Sequence, residues 1–88
     1  MTHDIDLVLK QIIVATTKEG LGIEIPIEEI SDDTDLIYDL GFHSIVSIRF
    51  IAAVEKILGV DIDDDNLDNE LINKYSRLRD YVIEHIDD

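Results

Sequence analysis

The residues with chemical promise are Asp39–Ile45, DLGFHSI, where a glycine, an aromatic, a histidine and a serine precede an apolar run. Three chemistries suit that spacing. His43 and Ser44 are base and nucleophile, or Ser44 caps a helix, or its hydroxyl is a handle for a group attached later. The first fails on geometry, because neighbours at a helix start do not face each other. A serine nucleophile needs a base placed by the fold and oriented by a third group. His3 and His85 lie near the termini, where chains fray, and GFHSI lacks the second glycine of a nucleophile elbow. No catalytic residue is expected, and no enzyme. The other two roles stay open together. Serine is a preferred N-cap, worth about 1 kcal/mol, and the same helix end, with its free N–H groups and positive dipole, favours a phosphate.

A metal is the next possibility. In DIDDDNLDNELI, Asp61, Asp63 and Asp65 have the first three ligand spacings of a calcium loop. Asn66 stands where the turn glycine belongs, and Ile72 where the bidentate glutamate must be. The expectation is a solvated acidic turn leading into a helix start, with no metal site.

The elements that must position Ser44 follow from periodicity. Ile5, Val8, Leu9, Ile12 and Ile13 recur at helical spacing, predicting a first helix over residues 4–18 with Gly20 as its C-terminal cap. A long connection runs from Leu21 to His43. A loop of that length needs anchors in a compact protein, and Ile23, Ile25, Ile27, Ile30, Leu36 and Leu40 are available. A second helix is predicted over Ser44–Leu58, closed by Gly59. Val46, Phe50, Ala53, Val54, Ile57 and Leu58 fall on its inward face. Ile45, Ile48 and Ala52 gather on the other side, beside Arg49, Glu55 and Lys56, either as ordinary scattered surface residues or as a contact surface. A short third helix is expected within VDIDDDNLDNELINKY, and a last one opens at Ser76 with Leu78, Tyr81, Val82 and Ile86 inward. The fold class is all-α: a small four-helix bundle with three long helices, one short third helix and a long loop between helices one and two.

Composition sets the boundaries of function. Eighty-eight residues predict one domain, residues 1–88, and 45% hydrophobic content is enough for a core. The net charge is −14, with ten carboxylates against two cations in residues 1–43 and eleven against five in 44–88. Phosphate backbones and anionic membrane surfaces would be repelled, so neither nucleic acid nor membrane is an expected partner. Either a partner with a basic patch would be steered in, or the charge only provides solubility. The absence of cysteine excludes a disulfide framework. The first residues lack the basic start and cleavage site of a signal peptide. The expectation is a cytoplasmic monomer.

On these residues the chain resembles the acyl and peptidyl carrier proteins. The likeness begins in the first helix, passes through DDTDLIYDLGFHSI and the apolar second helix to LGVDI, and reaches the closing YVIEHI. Its centre is the string Leu40, Gly41, Phe42, His43, Ser44, Ile45, with Asp35–Leu36 upstream. The resemblance implies that Ser44 accepts 4′-phosphopantetheine from coenzyme A through a separate phosphopantetheinyl transferase. The thiol of the arm would then carry an acyl, aminoacyl or peptidyl thioester to loading and condensing enzymes. Gly41, His43, Ile45, Ile48, Arg49, Ala52, Glu55 and Lys56 would form the motif and recognition surface. Fatty-acid carriers usually place Asp before the serine and have a richly acidic second helix, where this chain has His43, Arg49 and Lys56. A His–Ser pair and an arginine at this point are similar to peptidyl carriers, which more often have a second glycine in place of Phe42. The reading is a discrete carrier of polyketide or nonribosomal peptide synthesis, ahead of a fatty-acid carrier. An acidic adaptor with Ser44 only as a cap is the alternative from a different class.

Overall fold

The computed structural model describes residues 3–42, 44–62 and 73–86, without the side chains of residues 3, 4 and 44. Among them are three α-helices: α1 (His3–Leu21), α2 (Ser44–Leu58) and α3 (Tyr75–His85). One 3-10 turn, Ile27–Glu29, lies between α1 and α2, and there is no strand among the described residues. The all-helical expectation holds, while the fourth helix is not established, because the segment expected to form it falls mainly on residues 63–72, outside those described. No helix among the described residues is long and apolar enough to cross a membrane.

Helix α1 runs past its expected end, and Gly22 closes it where Gly20 was expected to. Gly22 is left-handed (φ 70°), its amide bonds the Lys18 carbonyl at 3.0 Å, and the Ile23 amide reaches the Thr17 carbonyl at 3.4 Å. That pair of bonds needs a left-handed residue, which glycine supplies at little cost. Gly59 (φ 69°) closes α2 in the same way, with its amide on the Glu55 carbonyl at 2.9 Å.

The core takes Leu9 and Ile13 from α1, Phe50 and Val54 from α2, and Tyr75, Leu78 and Val82 from α3, all fully buried. Burying each such large apolar side chain contributes roughly 1.5–3 kcal/mol. Two inward assignments are corrected. Ile57, in the last turn of α2, is exposed, and Ile51 is buried instead, since the inward face is rotated toward Ser47 and Ile51. Ile23, beyond the Gly22 turn, is also exposed and is not part of the core cluster.

The long connection is nonetheless well held. Ile30, Leu36 and Phe42 are buried, with Ile25 and Leu40 packed against them. Its backbone also serves α3. The Thr34 carbonyl accepts from the Tyr75 amide at 2.8 Å, and the Asp32 carbonyl from the Ser76 amide at 3.1 Å. Both amides lie at the start of a helix and lack intrahelical acceptors, so the loop and α3 fix each other.

Candidate functional site

The approach to Ser44 is a single capped turn. At its start, Asp35 Oδ1 accepts from the amides of Ile37 and Tyr38, each at 2.9 Å, and Asp39 Oδ2 accepts from the Asp35 amide at 2.9 Å. At its end, the Gly41 amide bonds the Ile37 carbonyl at 3.0 Å and the Phe42 amide bonds the Leu36 carbonyl at 2.8 Å. Gly41 is left-handed (φ 79°), and a Cβ there would sit 3.4 Å from Leu21 Cδ1. The Asp35 and Gly41 of the sequence motif are thus the two ends of one turn.

That turn aims Phe42 into the core, edge-on to Phe50 with ring centroids 5.4 Å apart. Phe42 is fully buried. It therefore replaces the second glycine of many peptidyl carriers with a core anchor. Two residues beyond Ser44, Val46 is buried as well. The chain is pinned on both sides of the serine, so the backbone holds Ser44 as the first residue of α2. His43 lies outside the described residues.

The electrostatics of that helix start favour an anion. The first amides of a helix have no intrahelical acceptors and carry the positive end of the dipole. The first turn of α2 contains no acidic residue, in a chain of net charge −14. A phosphate linked to Ser44 would lie at the positive end of the α2 dipole and meet no carboxylate from its own helix turn. The residues present fit a phosphodiester.

Beyond Ser44 the outer face of α2 is open. Ile45 is 67% and Ile48 61% exposed, and Arg49, Ala52 and Lys56 are exposed with them. Ile45, Arg49, Ala52 and Lys56 follow the i, i+4, i+7, i+11 spacing of one helical stripe, with Ile48 alongside. Glu55 differs from the others of the expected surface. It is half-buried, and its carboxylate accepts from the Ile62 amide at 2.9 Å, capping the chain that follows α2. Tyr38, whose amide donates to Asp35 Oδ1, is 87% exposed on the turn before Ser44.

Among the described residues a linked polar cluster lies elsewhere, at the start of α3. The Tyr75 hydroxyl donates to Asp6 Oδ1 at 2.7 Å, and Arg79 pairs with Asp32 at 2.7 Å and with Asp6 at 3.6 Å. Burial pushes the Asp6 carboxyl up, but the Tyr75 hydrogen bond and the Lys10 and Arg79 charges outweigh it and hold it below its ordinary 3.8. Burial, then the hydrogen bond to Asp6, drive the Tyr75 hydroxyl far above its ordinary 10.0, so it stays a donor. The hydrogen bond to Asp32 raises Arg79, which stays charged.

A family model described as the phosphopantetheine attachment site matches residues 11–79. The chain belongs to that family. The match enters α1 after its second turn, takes in the whole connection and α2, and ends within α3. Neither the curated proteins nor the solved structures contain a match to the chain. Members of the family bind 4′-phosphopantetheine covalently. This chain is a carrier and not a catalyst, holding its prosthetic group for other enzymes.

Proposed function

We propose that the carrier bears 4′-phosphopantetheine on Ser44 and shuttles thioester-bound acyl or aminoacyl intermediates in polyketide or nonribosomal peptide synthesis. One observation carries the assignment to Ser44. It is the first residue of α2, with a first turn free of carboxylates, inside the matched residues. In loading, the Ser44 hydroxyl oxygen attacks the β-phosphorus of coenzyme A and the pyrophosphate bridge breaks. Adenosine 3′,5′-bisphosphate leaves, and the hydroxyl proton passes to the transferase. The bound arm supplies a thiol that the cysteine-free chain lacks. The chain itself contributes the helix end that accommodates the phosphate and the open face beside it.

The serines that compete are poorly placed. Ser47 is buried, and Ser31 is engaged with Thr34 through its amide at 2.8 Å and its hydroxyl at 3.3 Å. Ser76 lies on α3 with its amide on Asp32. Incubation with coenzyme A and a broad-specificity transferase should add one phosphopantetheine by intact mass, and Ser44→Ala should add none while keeping its helical signal. An unmodified wild type, beside a control carrier that loads, sinks the assignment. An acidic adaptor would bind its partner equally well as Ser44→Ala, apart from a capping loss of about 1 kcal/mol. The specialised-pathway reading is supported by the His43–Ser44 pair and by the exposed Arg49 and Lys56, against a fatty-acid carrier. Mass spectrometry of the native thioester decides between them, and a plain fatty acyl cargo would overturn it.

A further inference from the structure

The acidity of this carrier is not spread evenly over it. Residues 22–43 hold seven carboxylates and no Lys or Arg, and residues 59–74 hold six against Lys74 alone. Helix α2 has the opposite balance, with Arg49 and Lys56 against Glu55. Glu55 is turned to the Ile62 amide. Arg49 and Lys56 are exposed on one stripe with Ile45 and Ala52, and neither forms an ion pair among the described residues. The face that adjoins Ser44 is therefore apolar and cationic on a strongly anionic protein.

We infer that the transferase loading Ser44 covers this face with an apolar pocket rimmed by carboxylates, which meet Arg49 and Lys56. The inference rests on the carrier reading above. The occupant is the loading enzyme because it alone must bring its reacting atoms to the Ser44 oxygen itself. Enzymes that use the thiol act at the far end of the arm. Ile45 adjoins Ser44 in the chain, and Ile48 and Arg49 follow about one helical turn on, so an enzyme reaching Ser44 covers them. The sign of the rim follows from complementarity. A basic rim would place like charges in contact as the surfaces desolvate, which is strongly disfavoured. The basic docking patch expected from net charge suits the connections, at longer range, and does not suit α2.

The test measures initial loading rates of the full-length apo carrier with fluorescent coenzyme A. Wild type, R49E/K56E and R49Q/K56Q are compared, with two sources of transferase: an extract of the cells the protein comes from, and a purified broad-specificity enzyme. With the extract, R49E/K56E should load on the order of tenfold more slowly at low carrier concentration, and R49Q/K56Q less so, with the maximal rate kept. Equal or faster loading of R49E/K56E overturns the acidic rim while leaving the carrier reading intact. Should charge reversal unfold the carrier, the neutral pair gives the same sign test. Loading of wild type by the purified enzyme but not by the extract overturns the choice of occupant. Failure of both enzymes on wild type removes the carrier reading and this inference with it.

Discussion

Two helix starts in this molecule are built from similar parts and used in opposite ways. Helix α3 opens on Tyr75, a hydroxyl residue, with Arg79 four residues on. Helix α2 opens on Ser44, also a hydroxyl residue, with Arg49 five residues on. At α3 the leading amides are taken by the Thr34 and Asp32 carbonyls, the hydroxyl by Asp6, and the arginine by Asp32 and Asp6. At α2 the first turn holds no carboxylate, and among the described residues no carboxylate pairs with Arg49. Both ends have the same electrostatic character from the dipole. One spends it on tying α1, the connection and α3 together, and the other keeps carboxylates out of its first turn. With Ser44 as the proposed attachment residue, stability and function fall to different ends of different helices.

The largest separation should come from the closed end. Tyr75→Phe keeps the buried ring and deletes the hydroxyl that donates to Asp6. A hydrogen bond to a charged acceptor contributes about 1.5–3 kcal/mol, and Asp6 retains Lys10 at 3.2 Å and some solvent. A loss of about 2 kcal/mol by denaturant unfolding is expected, with loading of Ser44 unchanged. The pH dependence has a definite sign. The folded-state Asp6 lies below its ordinary 3.8, so its contribution is present above about pH 4 and is lost as pH falls through the folded value. The stability gap between wild type and Tyr75→Phe should therefore shrink as pH drops below 4. A gap that widens there would show that Asp6 is not the partner that matters.

Gly41→Ala probes the joint between the two regions. The left-handed φ of 79° costs a residue with a Cβ about 1–2 kcal/mol, while the new methyl would only come into contact with Leu21 Cδ1 at 3.4 Å. Stability should fall by about 1 kcal/mol. Loading should fall too, because the turn from Leu36 to Phe42 sets where α2 begins. A variant that loses stability but loads at the wild-type rate would show that the turn matters only to the core.

The open end was the more legible of the two in the sequence, for a physical reason. Helix α2 is bracketed by local signals, Ser44 before and Gly59 after, and its outward strip of Ile45, Ile48 and Ala52 follows from spacing alone. The closed end depends on contacts far apart in the chain. Tyr75 and Asp6 are 69 residues apart, and no periodicity links them. Gly20 and Gly22 are equivalent in composition, and the point where α1 stops decides between them. Ile51 and Ile57 exchange places because the angle at which α2 meets its neighbours sets the buried face. Phe42 looked like a departure from a glycine motif, and only the edge-on contact with Phe50 shows it to be an anchor. Of the site itself, the backbone place of Ser44 and the exposure of its helix face were readable, while the half-buried role of Glu55 toward Ile62 was not.

The smallest expected effect on folding is at the open face. Ile48 is 61% exposed on the side of α2 away from Phe50 and Val54, so Ile48→Gln removes little buried area and keeps a good helix former. Surface changes of this kind usually lie within about 0.5 kcal/mol, and thermal unfolding should be close to wild type. An isolated exposed isoleucine would need no explanation, but this one shares a stripe edge with Ile45 and sits one turn from Ser44. If the face is an enzyme contact, the same substitution should raise the KM for loading several-fold with little change in kcat. A silent result in both measurements would reduce Ile48 to ordinary surface and confine recognition to Ile45 and the two cations. A loss of stability comparable to Tyr75→Phe would instead mean that the open face is packed in solution, and the contrast between the two helix starts would fail.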